Sequence, residues 1–155
     1  MNYTVGTFLI NRDKELLICH PTGQGENTWT IPKGLMDETD ECDYFQTAIR
    51  ELEEETNVKY DDIKNYVVNI LKLDNVIYKS NKKILVPYLI EINFNVNNFN
   101  LKCNSMVKTN NGYNFPEVDQ YKWIKLEKAS HLLHESQSKV LYKIINILKN
   151  ENKNY

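Results

Sequence analysis

The chain has 155 residues, 41% hydrophobic and 26% charged, with 19 Lys and Arg against 21 Asp and Glu. That length suits one domain over residues 1–155 with a full apolar core, and it leaves no case for intrinsic disorder or a disulfide-stapled scaffold. The near-balance of charge lacks the Lys and Arg excess that counterion-driven duplex binding requires, so no duplex DNA partner is expected, and a polyanionic ligand needs a local basic pocket or a metal ion.

Cys19, Cys42 and Cys103 are widely spaced, with no CxxC pair to suggest zinc or a redox dithiol, and read as reduced thiols. The first ten residues carry neither a basic stretch nor a small-residue cleavage pattern, and no apolar run approaches the ~18 residues of a membrane span. A cytoplasmic setting without a membrane partner is the expectation. The oligomeric state is not legible.

Residues 3–10 and 15–20 are β-rich runs joined by the polar turn Asn11-Arg12-Asp13-Lys14, which predicts a hairpin. A Gly- and Pro-containing loop follows from Pro21 to Asn27; its glycines precede no helix and do not form a dinucleotide-binding fingerprint. Trp29-Thr30-Ile31 is a short strand ended by Pro32, and Lys33-Gly34 leads into an acidic loop. A helix comes next: Asp43 and Gln46 resemble a capping box, Ala48, Ile49 and Leu52 supply an apolar side, and Asn57 suits the left-handed position after the last turn. Residues 65–73 and 84–96 read as longer strands, the second alternating through Ile84, Val86, Tyr88, Ile90 and Ile92 behind a turn at 80–83. The Asn-rich stretch 97–116 reads as loop, with a short strand near Phe99–Leu101. Residues 121–124 resume β character, and helices are predicted over Leu126–His134 and Ser136–Lys149. Strands on both sides of one embedded helix, with a helical C-terminus, predict a mixed α/β sandwich.

The densest chemistry is Arg50-Glu51-Leu52-Glu53-Glu54-Glu55. At 100° per residue Glu51, Glu54 and Glu55 share one helix face and Glu53 points away. Three converging carboxylates repel, and a divalent cation removes that cost; hard oxygen donors without His or Cys favour Mg²⁺ or Mn²⁺ over zinc. The alternative is a solvated acidic helix face.

The stretch from Gly34 to Val58, preceded by Trp29-Thr30-Ile31-Pro32-Lys33, resembles the Nudix box, whose family hydrolyses nucleoside diphosphates linked to another moiety. The Arg-Glu-Leu-Glu-Glu-Glu core matches fully. Three departures stand out. Two extra residues separate Gly34 from Arg50, Cys42 stands where the family has its first Glu with Glu41 as a neighbouring substitute, and Asn57 replaces the final Gly. Residues 116–129, with Glu117 and the Gln120-Tyr121-Lys122-Trp123 run, resemble a later acidic loop and Trp-bearing strand of the family.

The resemblance implies an α/β/α sandwich with a mixed sheet, a box helix and a C-terminal helix. It also implies a Mg²⁺- or Mn²⁺-dependent pyrophosphohydrolase. Glu51, Glu54 and Glu55 are then metal ligands together with the Gly34 carbonyl, and either Glu54 or Glu51 is the general base. Glu117 adds a ligand or a base, or is a simple loop acid. Arg50 orients the acids, Lys33 faces substrate phosphate, and Tyr88 and Tyr121 either stack a nucleobase or pack in the core. His131 and His134 read as surface histidines. The Trp-Thr-Ile-Pro-Lys-Gly run is similar to that of asymmetric dinucleoside tetraphosphate hydrolases, which makes dinucleoside polyphosphates the expected substrates. RNA 5′ ends are the alternative, because decapping relatives also carry Pro-Lys-Gly. A non-catalytic nucleotide sensor is the competing class, disfavoured by retention of all three helix acids.

Overall fold

The structure is a computed structural model that describes residues 2–37, 40, 42–78, 82–94 and 99–152. Its strands are β1 (Asn2–Ile10), β2 (Glu15–Pro21), β3 (Lys33–Leu35), β4 (Val67–Lys72), β5 (Val76–Ile77), β6 (Lys83–Ile92), β7 (Met106–Lys108), β8 (Asn114–Pro116) and β9 (Val118–Lys125). The helices are α1 (Tyr44–Thr56), α2 (Tyr60–Ile63), α3 (Leu126–Ala129) and α4 (Glu135–Asn152), with a 3-10 turn at Lys64–Tyr66. A seven-stranded mixed sheet runs β4-β6-β1-β2-β9, with β3 paired to β1 and β5 to β6; β7 and β8 form a separate ribbon.

Period-two alternation sorts the core into two layers. Phe8, Ile10, Leu16, Ile18, Leu85 and Leu89 pack with Val140, Leu141, Ile144 and Leu148 of α4. Their sequence neighbours Leu9, Leu17 and Ile90 face Leu52 of α1 on the other side, and Val5 and Val86 meet Ala48 there. Both faces of β1 and β6 are thus buried, as expected where a parallel pair such as β1–β6 sits between helix layers. Each fully buried Leu or Ile contributes about 1.5–3 kcal/mol. The α/β/α sandwich with a mixed sheet, one acidic helix and a C-terminal helix is the architecture observed.

The predicted β1–β2 hairpin forms, and three other local expectations are corrected. The β1–β2 hairpin pairs only at Ile10↔Leu16, because the strands fork and the 30–35 segment enters between them: Cys19 bridges Thr30, and Thr4, Val5 and Gly6 pair with Leu35, Gly34 and Lys33. Pro32 therefore interrupts rather than ends the extended run. It lacks an N–H, but its carbonyl accepts from Thr7 N at 3.0 Å. The predicted helix 126–134 stops at Ala129, since the backbone beyond it is drawn to Trp29, whose N–H donates to Leu132 O at 3.3 Å. Finally, the polar 97–116 stretch contains the β7–β8 ribbon, its turn closed by Gly112 at φ 76. Phe99 and Leu101 form no strand and instead pack onto the α1 side of the core. The turn expected at 80–83 begins outside the described residues.

Candidate active site

The acids owe their placement to the way α1 is pinned. Asp43 caps its start, its carboxylate accepting from Phe45 N at 2.9 Å, and Asn57 ends it at φ 65 with its N–H donating to Glu53 O. Ala48 and Leu52 are buried against the sheet, which turns Glu51 and Glu55 toward β3. They are 8% and 6% exposed. Glu53 faces solvent and Glu54 is half-exposed.

β3 meets these carboxylates with backbone. Lys33 N donates to Glu55 Oε1 at 2.9 Å. Gly34 lies so close to Glu51 that a Cβ at this position would overlap its carboxylate, so glycine is required by close approach.

Arg50 gathers the acids from the side. Its Nη1 donates to Glu51 Oε1 at 2.9 Å and Glu54 Oε1 at 3.1 Å. Nε and Nη2 grip Asp40 at 2.8 and 2.9 Å, and Nη2 also reaches Leu35 O at 2.8 Å. Asp40 is 2% exposed and accepts further from Thr47 Oγ1 and Asp37 N. The Arg50 guanidinium, outweighing the effect of burial, holds the Asp40 carboxyl down to about 2, and Arg50 is in turn pushed up by Asp40. Asp40, two residues before Cys42, is therefore the acid partner of Arg50. Cys42 is exposed, with φ 62. Glu41 lies outside the described residues.

The inner acids are raised. Burial pushes Glu51 up to about 7, against the pull of Arg50 and with help from the charges of Glu54 and Glu117. Burial also pushes Glu55 up to about 8, opposed by the Lys33 N–H and assisted by Glu51 and Glu117. A buried carboxylate pair with so little compensating charge is a hard-oxygen donor set that a divalent cation would complete. Among the described residues no group of three or more His, Cys, Asp or Glu forms a preassembled metal cage; Arg50 Nη1 stands between Glu51 and Glu54 instead. The residues fit a divalent ion by chemistry and by their common cleft.

That cleft, about 480 Å³, is lined by Gly34, Glu51, Glu54, Glu55 and Glu117 on one side and by Lys33 and Lys83 on another. It adjoins a second compartment of about 510 Å³ walled by Trp29, Tyr78, His134 and Gln137. The two share Thr4, Pro21, Thr30, Lys33 and Lys83. The Tyr78 and His134 rings lie 5.3 Å apart. Trp29 is fixed by Nε1 donating to Glu26 O at 2.8 Å and by the edge of His20 at 5.3 Å. His20 is buried between Asp119 and Gly25 O, and its hydrogen bond to Asp119 raises its pKa.

The structure thus brings Lys33, Gly34, Glu51, Glu54, Glu55 and Glu117 to one cleft, with Arg50 behind them. Tyr88 and Tyr121 are not among its lining residues. Tyr88 is buried between the sheet and α1, its ring 5.5 Å from that of Phe45. Tyr121 lies under the end of α1 and donates its hydroxyl to Glu55 O. Core packing wins for both because their strand positions face the helix layer. Sequence reasoning missed Asp40, Tyr78 and Gln137 and left Lys83 in a turn; His134 is exposed, as expected, and borders the second compartment. They come from four separate segments with no shared spacing; only Asp40, in the acidic insertion ahead of Arg50, carried a usable signal.

Residues 2–144 match the family model described as NUDIX domain. The chain is 27% identical over 137 residues to the RNA pyrophosphohydrolase of Pelagibacter ubique, covering 83% of this chain and 79% of that one. A Caenorhabditis elegans Ap4A hydrolase binary complex superposes with a TM-score of 0.69 at 20% identity, over 95% of this chain and 98% of the other. The NUDIX domain of Shewanella oneidensis NrtR complexed with ADP ribose gives 0.69 at 18% identity, over 96% and 88%. At these identities the superpositions establish a shared fold.

Proposed function

The chain belongs to the NUDIX family of pyrophosphohydrolases, and from that premise we propose that it cleaves a pyrophosphate bond in a nucleoside diphosphate linked to a further moiety, with dinucleoside polyphosphates as the preferred substrates. The observation that carries this reading is the joined pair of compartments: four acids and two lysines around one, an aromatic wall around the other. A polyphosphate in the first and a nucleobase in the second use both.

Lys33 and Lys83, on the wall common to both, hold and neutralise the phosphates. Glu51, Glu55, Glu54 and the Gly34 carbonyl, with Glu117 opposite, would hold Mg²⁺ or Mn²⁺. When bound, such an ion makes phosphorus more electrophilic and a water more acidic. Glu54, the most solvent-open of the three helix acids, also takes the proton from the attacking water, while the deeper Glu51 and Glu55 serve as ligands alone. Arg50 keeps Glu51 and Glu54 in register and is itself aimed by Asp40. A cytoplasmic setting is part of this proposal. No helix among the described residues is long and apolar enough to cross a membrane.

A second reading, removal of pyrophosphate from RNA 5′ ends, is favoured by the Pelagibacter relative's name. One substrate panel tests both: dinucleoside polyphosphates, triphosphorylated and capped RNA, ADP-ribose and nucleoside triphosphates, each with Mg²⁺ or with EDTA. Dinucleoside polyphosphates should turn over fastest, with activity lost in EDTA and in Glu54→Gln. Preference for the RNA substrates would replace the first reading with the second. Nucleotide binding without any turnover would replace both with a sensor.

A further inference from the structure

The last turn of α1 carries the acids, yet its carbonyls are satisfied by a segment more than forty residues away. Asn104 N donates to Glu54 O at 2.6 Å. The Asn104 side-chain amide donates to Glu53 O at 3.2 Å and to Asn57 Oδ1 at 3.1 Å. Lys102 N reaches Thr56 O at 3.3 Å, and Asn57 Nδ2 returns a bond to Asn100 O at 2.9 Å. The next residue after Asn104 then takes hold of the fourth acid: Glu117 N donates to Ser105 O at 3.1 Å, and Glu117 O accepts from Thr22 N at 3.0 Å. Between these points the β7–β8 ribbon closes on itself, from Met106↔Pro116 to Lys108↔Asn114.

We propose that Asn104 is a positioning residue: it docks the 99–117 segment on the end of α1 and so sets Glu117 against Glu51, Glu54 and Glu55. The inference rests on the functional reading above. Two independent elements contribute acids to the cleft, and the Asn104–Ser105 pair is the short covalent link between the bonds that hold each. Consecutive residues make the contact with Glu54 O and the contact with Glu117 N. A helix end that loses some of its capping donors frays more readily, and here fraying would displace both sides of the cleft together.

The test is a double-mutant cycle on turnover of the best panel substrate, with Asn104→Ala, Glu117→Gln and the double variant, read beside amide hydrogen exchange. Asn104→Ala should lower kcat about tenfold with KM little changed, a loss on the scale of one or two hydrogen bonds. The Glu117 amide should exchange about tenfold faster, while Ile18 and Lys122 in the β2–β9 pair keep their protection. The double variant should be no slower than Glu117→Gln alone. Asn104→Leu, which keeps bulk and the backbone bond to Glu54 O but removes the side-chain donor to Glu53 O and Asn57 Oδ1, should behave as Asn104→Ala does. Additive losses, unchanged exchange at Glu117, or wild-type turnover in Glu117→Gln would each overturn the inference, the last while leaving the functional reading intact. Wild-type turnover in Glu54→Gln would instead overturn the functional reading.

Discussion

Replacing Glu55 by Gln separates the electrostatics of the cleft from its chemistry. The folded protein holds the Glu55 carboxyl at about 8, chiefly through burial, against an ordinary value of 4.5. A carboxyl raised on folding binds its proton more tightly in the native than in the unfolded state, so metal-free stability falls as pH rises from the lower value to the higher and then levels off. The interval from 4.5 to about 8 is about 3.5 pH units, or about 5 kcal/mol at ~1.4 kcal/mol per unit. Mutual repulsion with Glu51, itself raised to about 7, is shared between the two acids, so the effect of removing the Glu55 charge is smaller, on the order of 3 kcal/mol. Gln keeps an oxygen to accept from Lys33 N and carries no charge. At ~2–4 °C per kcal/mol for a chain of this size, Glu55→Gln in EDTA should melt about 6–12 °C above the wild type at pH 8 and close to it at pH 5. Mg²⁺ should raise the wild-type Tm at pH 8 far more than that of the variant. Calorimetric or fluorescence melts at the two pH values decide the matter. A gain of equal size at both, or none at pH 8, refutes the argument that this carboxylate is held buried against its own charge.

Gly34→Ala should drive the Glu51 carboxylate aside and cost about 100-fold in kcat, the scale of an ångström-sized misplacement; wild-type turnover would show that Glu51 can move without consequence. Asp40→Asn tests the anchor of Arg50. The depressed Asp40 carboxyl, about 2 against 3.8, contributes stability that is present above the higher value and lost as pH falls through the lower. The variant should therefore be destabilised by about 2–4 kcal/mol in urea unfolding at pH 7, a deficit that shrinks toward pH 2. Tyr78→Ala and His134→Ala should each raise KM for the best nucleotide about tenfold with kcat within about twofold, the worth of lost base stacking; unchanged KM in both would remove the nucleobase from the second compartment.

How far the sequence carried this reading depends on where the information was local. The helix face of Glu51, Glu54 and Glu55, its Asp43 start and its Asn57 end are all properties of fifteen consecutive positions, and the structure keeps them. The layer architecture was legible for the same reason, since alternating apolar residues in β1, β2 and β6 point to both helix layers. What failed or was missed was settled by partners distant in the chain. Trp29 unwinds the helix predicted through His134 by competing for Leu132 O. The forked β1–β2 pair is decided by the 30–35 segment that enters it. Tyr88 and Tyr121 carried a correct residue type for stacking, but facing is set by the register of strands with α1 above them, which no local pattern reveals.

Asp40 shows the same division inside the site. A gapless count from Arg50 lands on Cys42, whereas in three dimensions the extra residues let Asp40 reach Arg50 with two hydrogen bonds. Charge, unlike spacing, survives an insertion. The helix end follows the opposite logic. Glu53, Glu54 and Glu55 occupy the last turn of α1, the negative pole of its dipole, and no basic residue accompanies them there. A helix selected for stability alone would carry lysine at such an end. The conflict is relieved from outside, by N–H donors of Lys102, Asn104 and Asn57 and by the Tyr121 hydroxyl. Those donors neutralise the carbonyls without neutralising the carboxylates, so the negative charge stays available to a cation in the cleft.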